Sequence, residues 1–487
     1  MNNNTSLAQA TNKQATHKPT SFKAPMLKAL ALAWASLPLA FVANAHDMLP
    51  AKAQTQPILF TNATVHTVTD GVMLESDVLV IDGNIIAVGQ DLDKSLASNS
   101  LASQSNADTD PATIQQTSTT NPGYSAQLSD VTIADVQVID ATNKHLYPGL
   151  IALDTTMGLV EVEMMRPSND AYEVGFINPQ LEAITAFNPD SEIIPTVRVN
   201  GITHAQVVPQ GDGLAGQSAL VAMDSWTIED ALVQSNQQFH LYWPHIRWLS
   251  KDTDKRKQQL ADLQSRIDAV SRAFEDGQRY QLAQQAGKLK KIDLRWQALA
   301  PLYEGNAQLF VHAQSQQQIE QAIALAKQYH FKLVIVGGYD AWRIASALAE
   351  IDAKVIYNQT LALPKRKDEP IDLAFKIPAL LKQAQVPFAI GFSSDWNSRN
   401  LPFAAGQSVA YGLTKQEALQ SITLDAAKIL DIDDMGAIAS GFKANIIVAT
   451  GDILDPMQAG IESIFIDGRK IDLNNRHQQL YQKYLKR

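Results

Sequence analysis

The stretch Leu146-Tyr147-Pro148-Gly149-Leu150-Ile151-Ala152-Leu153-Asp154-Thr155-Thr156-Met157-Gly158 divides the chain into two patterns. Before it lie short strands and tight turns. After it, from about 148 to 430, strand-like runs alternate with helical spacing. Gly201-Ile202-Thr203-His204-Ala205-Gln206-Val207-Val208-Pro209 and Leu309-Phe310-Val311-His312-Ala313 read as buried strands. Gln316 to Tyr329 then carries Ile319, Ala322, Ile323 and Ala326 at helical spacing. Lys332 to Gly338, Lys354 to Tyr357 and Pro387 to Phe392 are further strands, with a helix across Trp342 to Glu350. Such alternation means parallel strands joined by crossover helices, and a barrel and an open doubly wound sheet both fit it.

Working outward, 57–90 reads as two strand–turn–strand units, with turns at Asp70-Gly71 and Asp82-Gly83-Asn84. Residues 91–132 are rich in Ser, Gln, Asn, Thr and Asp, too polar to bury a core, and read as a disordered insertion. Strand pattern resumes at Val136 to Asp140 and returns late in the chain at Asn445 to Val448 and Ser463 to Arg469, before a polar helix from about Asn475. Residues 254–300 form a charged, Gln-rich helical segment with Leu260, Leu263, Ile267 and Val270 on one stripe. It reads as a surface insertion, the alternative being a partner-binding coiled coil.

The 487 residues suggest two domains. Residues 1–45 read as a signal peptide. Lys13, Lys18, Lys23 and Lys28 lead into an apolar run from Ala29 to Val42, and Ala43-Asn44-Ala45 is a small-x-small cleavage site. A retained membrane anchor is the alternative, disfavoured by the short run. Removing that leader takes the net charge from −10 to −14, since it holds four lysines and no acid. That balance argues against nucleic acid as a partner. Without any Cys the chain has no disulfides and no lipidated cysteine, and the expected location is the periplasm or outside the cell. No membrane span is expected in the mature chain.

The opening stretch resembles the end of the first barrel strand in the amidohydrolase superfamily, usually Pro-Gly-Leu/Phe-Ile-Asp-x-His-x-His-x-Gly. The Pro-Gly-Leu-Ile start and the closing Gly are present. Asp154 and Thr156 stand where the histidines would be, and Ala152 replaces the Asp. Gly436-Ala437-Ile438-Ala439-Ser440-Gly441-Phe442-Lys443-Ala444-Asn445-Ile446-Ile447-Val448 resembles the family's return to its β-sandwich, with Asn445 in place of an Asp. Gly412 to Leu430 resembles the helix after the eighth strand. Within the superfamily the chain looks most similar to imidazolonepropionase-like secreted amidohydrolases. The resemblance implies an α/β fold: a (β/α)8 TIM-like barrel over 148–435, with a small composite β-sandwich from 57–147 and 436–475.

It also implies a metal-activated water and an Asp that takes its proton. His312 matches the fifth-strand histidine ligand and Asp395 the eighth-strand base. Gly337-Gly338 occupies the region of the sixth-strand histidine, and no fourth-strand Lys for a carbamate is found. One His and one Asp are too few for a catalytic zinc, three protein ligands being the ordinary minimum. A divalent metal is left open, with Asp154 the one substitute ligand on its strand. Bland readings stand beside these: His312 as a core histidine, Asp395 as a turn cap, Asp154 as a hydrogen-bonded strand end. Arg198, Gln217 and Asn397 are candidate substrate-binding residues near strand ends, and His204, on the third strand, is set aside as idiosyncratic. There is no phosphate loop, no dinucleotide motif, no nucleophile elbow and no HExxH.

Two functions follow as expectations. One is an exported hydrolase acting on a C–N bond of a cyclic amide or small peptide-like substrate, with Asp395 as base and His312 as ligand or electrophile. The other is a catalytically silent barrel that binds a ligand or serves as a scaffold. The expected partner is a small molecule, and a homo-oligomer is left open.

Overall fold

The structure is a computed structural model that describes residues 49–97 and 133–487. The expected leader at 1–45 and residues 98–132 of the expected insertion lie outside the described residues. The insertion begins later than its composition suggests. Residues 92–97 are helical, and Leu92 and Leu96 are buried beside Leu59, Leu79 and Ile86.

The first strands form as their alternation predicts. β1 (Ile58–His66), β2 (Val72–Ile81) and β3 (Asn84–Gly89) make an antiparallel meander. β1 also pairs in parallel, with β4 (Gln137–Asp140) through Ile58 to Thr61 and with β5 (His145–Pro148) through Thr64 and Val65. The C-terminal strands β16 (Ile446–Ala449), β17 (Ile461–Ile466) and β18 (Arg469–Lys470) extend the sheet from β5. The expected sandwich is thus, by its hydrogen bonds, one eight-stranded sheet built from both ends of the chain. Phe60 and Phe465 meet edge to face in its core, ring centroids 5.1 Å apart.

Pro148-Gly149 carries the chain from this sheet into β6 (Leu150–Thr155). Gly149 is required there: a Cβ would lie 2.3 Å from Thr203 Oγ1 and 3.0 Å from Asn445 Cβ. β6 pairs in parallel with β7 (Ile202–Val207). β11 (Gln238–Tyr242), β12 (Gln308–Ala313), β13 (Lys332–Gly337), β14 (Lys354–Tyr357) and β15 (Phe388–Ile390) form a second parallel run. Between them the α/β repeat breaks. β8 (Gly213–Gln217), β9 (Ala219–Ala222) and β10 (Leu232–Gln234) run antiparallel to their neighbours: β9 against β7 and β10, β8 against β11. This corrects the expectation of eight parallel βα units. The ladders form a four-stranded and a six-stranded sheet rather than one continuous closed barrel. Single backbone bonds tie their edges, Phe392 N to Leu153 O at 3.1 Å and Ser218 N to Gln238 O at 3.1 Å. His204 therefore stands on the second parallel strand, not the third.

The predicted helix at Gln316–Tyr329 is present, with Ile319, Ala322, Ile323 and Ala326 buried as spaced and a capping box from Ser315 and Gln318. The charged segment is a 33-residue helix, Thr253–Gln285, capped by Asp252. It packs through Val270, Ala273 and Phe274, while Leu260 near its start is exposed. No helix among the described residues is long and apolar enough to cross a membrane.

Candidate active site

Ile151, Leu153, Phe310, Val334, Val336, Ile356 and Ala389 form one apolar cluster across these strands, and β11 differs in carrying polar side chains on one face. β11 reads Gln238-Phe239-His240-Leu241-Tyr242, and Gln238, His240 and Tyr242 share one face. Tyr242 lies in register with His312 across to β12, and His240 with Phe310. His312 stacks on Tyr242, ring centroids 3.8 Å apart and planes 10° from parallel. His312 Nε2 is 3.0 Å from His240 Nδ1, and His240 Nε2 is 2.7 Å from Ser218 Oγ. Ser218 Oγ donates to Gln238 Oε1 at 2.7 Å, and Gln206 Nε2 donates to the same oxygen at 2.8 Å. Gln206 Oε1 then accepts the backbone N–H of Asp154 at 3.1 Å.

Asp154 ends β6 in the left-handed region, φ 60°. A non-glycine residue seldom rests there, and such positions cluster at functional sites. Its carboxyl is buried. Oδ2 accepts from Asn358 Nδ2 at 2.7 Å and from Ser393 Oγ. Oδ1 has no partner and lies 3.9 Å from His312 Nδ1. Burial pushes the Asp154 carboxyl up to about 6, against the opposing pull of the Ser393 and Asn358 hydrogen bonds. Burial pushes His312 down to about 3 and His240 well below its ordinary value, the latter also through its neighbour His312. Both imidazoles are neutral, so the contact between His312 and Asp154 is not an ion pair.

The structure thus brings His312 and Asp154 together and leaves the other candidates elsewhere. Asp395 caps its own turn through Oδ1, which accepts from Trp396 N at 2.7 Å and from Ser394 Oγ at 3.2 Å, while its Oδ2 is buried without a partner. The side chain that reaches Asp154 from this segment is Ser393. Arg198 precedes β7, at the opposite strand end from Asp154, and is held in the interior. It donates to Asp224 Oδ1 at 2.9 Å, to Met223 O at 3.0 Å and to Asp472 O at 3.0 Å. Its two terminal nitrogens are taken up by the protein, and its Nε is buried without a partner. Gln217 is buried too, and its amide donates to Pro179 O at 3.0 Å. Asn397 is exposed, with its backbone N–H on Ser394 Oγ at 3.4 Å. His204 is buried beside Thr203, Nδ1 to Oγ1 3.0 Å, and burial holds it at about 3.

A resident metal does not fit these donors. Among the described residues no group of three or more His, Asp and Glu could hold one. At the end of β13, Gly337 has φ 97°, and a Cβ there would stand 2.0 Å from Gln314 Nε2. Gln314 fills that space and accepts from Lys365 Nζ at 2.9 Å. The free carboxylate oxygen, Oδ1, faces one imidazole, while the amide of Asn358 and the hydroxyl of Ser393 are taken up by Oδ2. No step below runs through a metal.

Sequence reading missed Gln206, Ser218, Gln238, His240 and Asn358. A signal was present in Gln238 to Tyr242, whose strict alternation gives a central strand one wholly polar face.

No family model and no curated protein matches the chain. Its structure is similar to that of an amidohydrolase from Thermotoga maritima MSB8, with a TM-score of 0.68 and 24% identity, covering 85% of this chain and 99% of that one. A prolidase complexed with N-methylphosphonate-L-proline (TM-score 0.47, 16% identity, 85% and 99% covered) and a Xaa-Pro dipeptidase with bound methionine (0.46, 10%, 85% and 100%) overlay more loosely. The overlay on the Thermotoga protein, over 85% of this chain, gives it the fold of an amidohydrolase.

Proposed function

We propose that the chain is an exported hydrolase that cleaves a C–N bond in a small cyclic amide or peptide-like substrate, at the strand ends around Asp154 and His312. The observation that carries this reading is the unpartnered Asp154 Oδ1 facing His312 Nδ1 at 3.9 Å, in a fold whose sites lie at such strand ends. The choice of a cyclic amide rests on the imidazolonepropionase-like resemblance. A carboxyl at about 6 is matched to base catalysis near neutral pH. Asp154 therefore takes the role first expected of Asp395. Water oxygen bonds to the substrate carbonyl carbon as one water proton passes to Asp154 Oδ1. On collapse the C–N bond breaks, the leaving nitrogen takes that proton, and the carboxylate is restored. Asn358 and Ser393, both on Oδ2, keep Oδ1 turned to the reacting side.

A panel of lactams, cyclic imides and dipeptides, assayed after chelator treatment, tests this. Turnover that survives chelation and is lost in Asp154→Asn is the expected result. No turnover on any member, with or without added metal, removes the hydrolase reading.

The second reading is a silent binding protein. It is favoured by the lack of a metal donor set among the described residues. Melting shifts with small amides and no product would support it.

A further inference from the structure

The hydrogen bonds around His312 have directions that can be worked out from one fixed end. The Asp154 N–H can only donate, so Gln206 presents Oε1 to it and Nε2 to Gln238 and Ser218. Gln238 Oε1 can only accept, so at 2.7 Å the single hydroxyl hydrogen of Ser218 points to it. Gln238 Nε2 donates onward to Gln234 Oε1 at 2.8 Å, and Gln234 Nε2 to the Leu430 carbonyl at 3.1 Å. The amides thus run head to tail from a backbone N–H to a backbone C=O, and none can flip alone.

With its hydrogen committed, Ser218 Oγ can only accept from His240, so the proton of His240 sits on Nε2. A neutral His240 then has a bare Nδ1, which must accept from His312 Nε2 at 3.0 Å. A neutral His312 is left with a bare Nδ1. That lone pair faces Asp154 Oδ1, an oxygen with no donor of its own. At 3.9 Å the two acceptors cannot bond each other. One molecule with two hydrogens can serve both, because each ordinary hydrogen bond spans about 2.8 Å.

We propose that Gln206, Gln238, Ser218 and His240 are positioning residues that lock His312 as the Nε2–H tautomer, so that His312 Nδ1 and Asp154 Oδ1 together cradle the hydrolytic water. This rests on the hydrolase reading for the identity of the water's task, and for the lock on the hydrogen-bond geometry of two neutral imidazoles. The water gives one hydrogen to each acceptor, which leaves its lone pairs facing the substrate carbonyl. Its proton then passes to Asp154, as in the step above, while His312 keeps its tautomer throughout. A catalytic water commonly takes its orientation from such paired acceptors.

The tautomer is read without any substrate. In histidine-labelled full-length protein, with His312 assigned through His312→Gln, the nitrogen spectrum at neutral pH should show a non-protonated Nδ1 and a protonated Nε2. The opposite tautomer, or an imidazolium, overturns the lock. Ser218→Ala should mix the two tautomers of His312 and lower kcat about tenfold or more at nearly unchanged KM. Ser218→Thr, which restores the hydroxyl, should recover the single tautomer. A single unchanged tautomer in folded Ser218→Ala overturns the relay. A locked tautomer in a protein without turnover removes the hydrolase reading and keeps the lock; turnover with the reversed tautomer does the converse.

Discussion

Ser393 donates its hydroxyl to Asp154 Oδ2, the same oxygen that takes the Asn358 amide at 2.7 Å. The carboxylate is therefore held on one side by two uncharged donors, and its other oxygen is left to the ligand side. No cation among the described residues pairs with it.

An uncompensated carboxyl in the interior should make stability fall as pH rises. Asp154 sits at about 6 in the folded chain and at about 3.9 when unfolded. Between those values the folded state holds the proton more tightly, so its contribution is fully present below pH 4 and lost as pH passes 6. Asp154→Asn removes this dependence, and its new amide hydrogens meet the bare His312 Nδ1. The variant should gain on the wild type by up to about 3 kcal/mol between pH 4 and 7, about two pKa units at 1.36 kcal/mol each. Urea unfolding across that range measures it. A variant less stable than wild type at pH 7 would contradict the account.

Ser393 and Asp395 should separate cleanly. Ser393→Ala removes a hydrogen bond that holds the Asp154 carboxyl down, so that group should titrate higher, as read by carbon NMR. Asp395→Ala should leave the Asp154 titration in place and cost about 1 kcal/mol through the lost cap. An Asp154 titration that moves with Asp395 and not with Ser393 would reverse the assignment.

Arg198 should prove to be a matter of stability and not of affinity. Arg198→Met leaves Asp224 buried with only Arg469, 3.4 Å away, to balance it. The expected cost is roughly 3 kcal/mol, as for breaking a buried ion pair. Arg198→Met combined with Asp224→Leu should cost less than the sum of the two single changes. In the folded fraction KM should not change; a KM that rises while stability holds would restore Arg198 as a ligand of substrate.

Much of the frame was legible. The Pro148-Gly149 junction, the strand–helix alternation after it, the capped helix at Gln316–Tyr329 and the return strand at Ile446 all follow from local spacing and turn chemistry. The antiparallel excursion of β8, β9 and β10 was not, because short buried strands carry no mark of direction. Of the candidate site, His312 was singled out, and Asp154 weighed with its structural reading preferred, through a motif that this chain keeps only in outline. His240, Ser218 and the three glutamines were missed for a different reason. Their roles depend on which residues face one another across strands far apart in sequence, and a polar residue in an apolar strand looks alike whether it is a satisfied core group or part of a chain of donors. Ser393 was missed because its segment is a tight turn, in which spacing does not tell which side chain reaches Asp154.

The glutamine thread from Asp154 to Leu430 also bears on how such a chain can change over generations. Each amide in it is useful only in the orientation its neighbour sets, so a single replacement by a metal-binding side chain strands a donor or an acceptor in the interior. Losing Gln206, for example, takes the acceptor from the Asp154 N–H and one of two donors from the Gln238 oxygen. A metal centre at these strand ends would therefore need several exchanges at once. Variation should instead collect at exposed positions such as Asn397, where new ligands can be tried without disturbing the thread beneath.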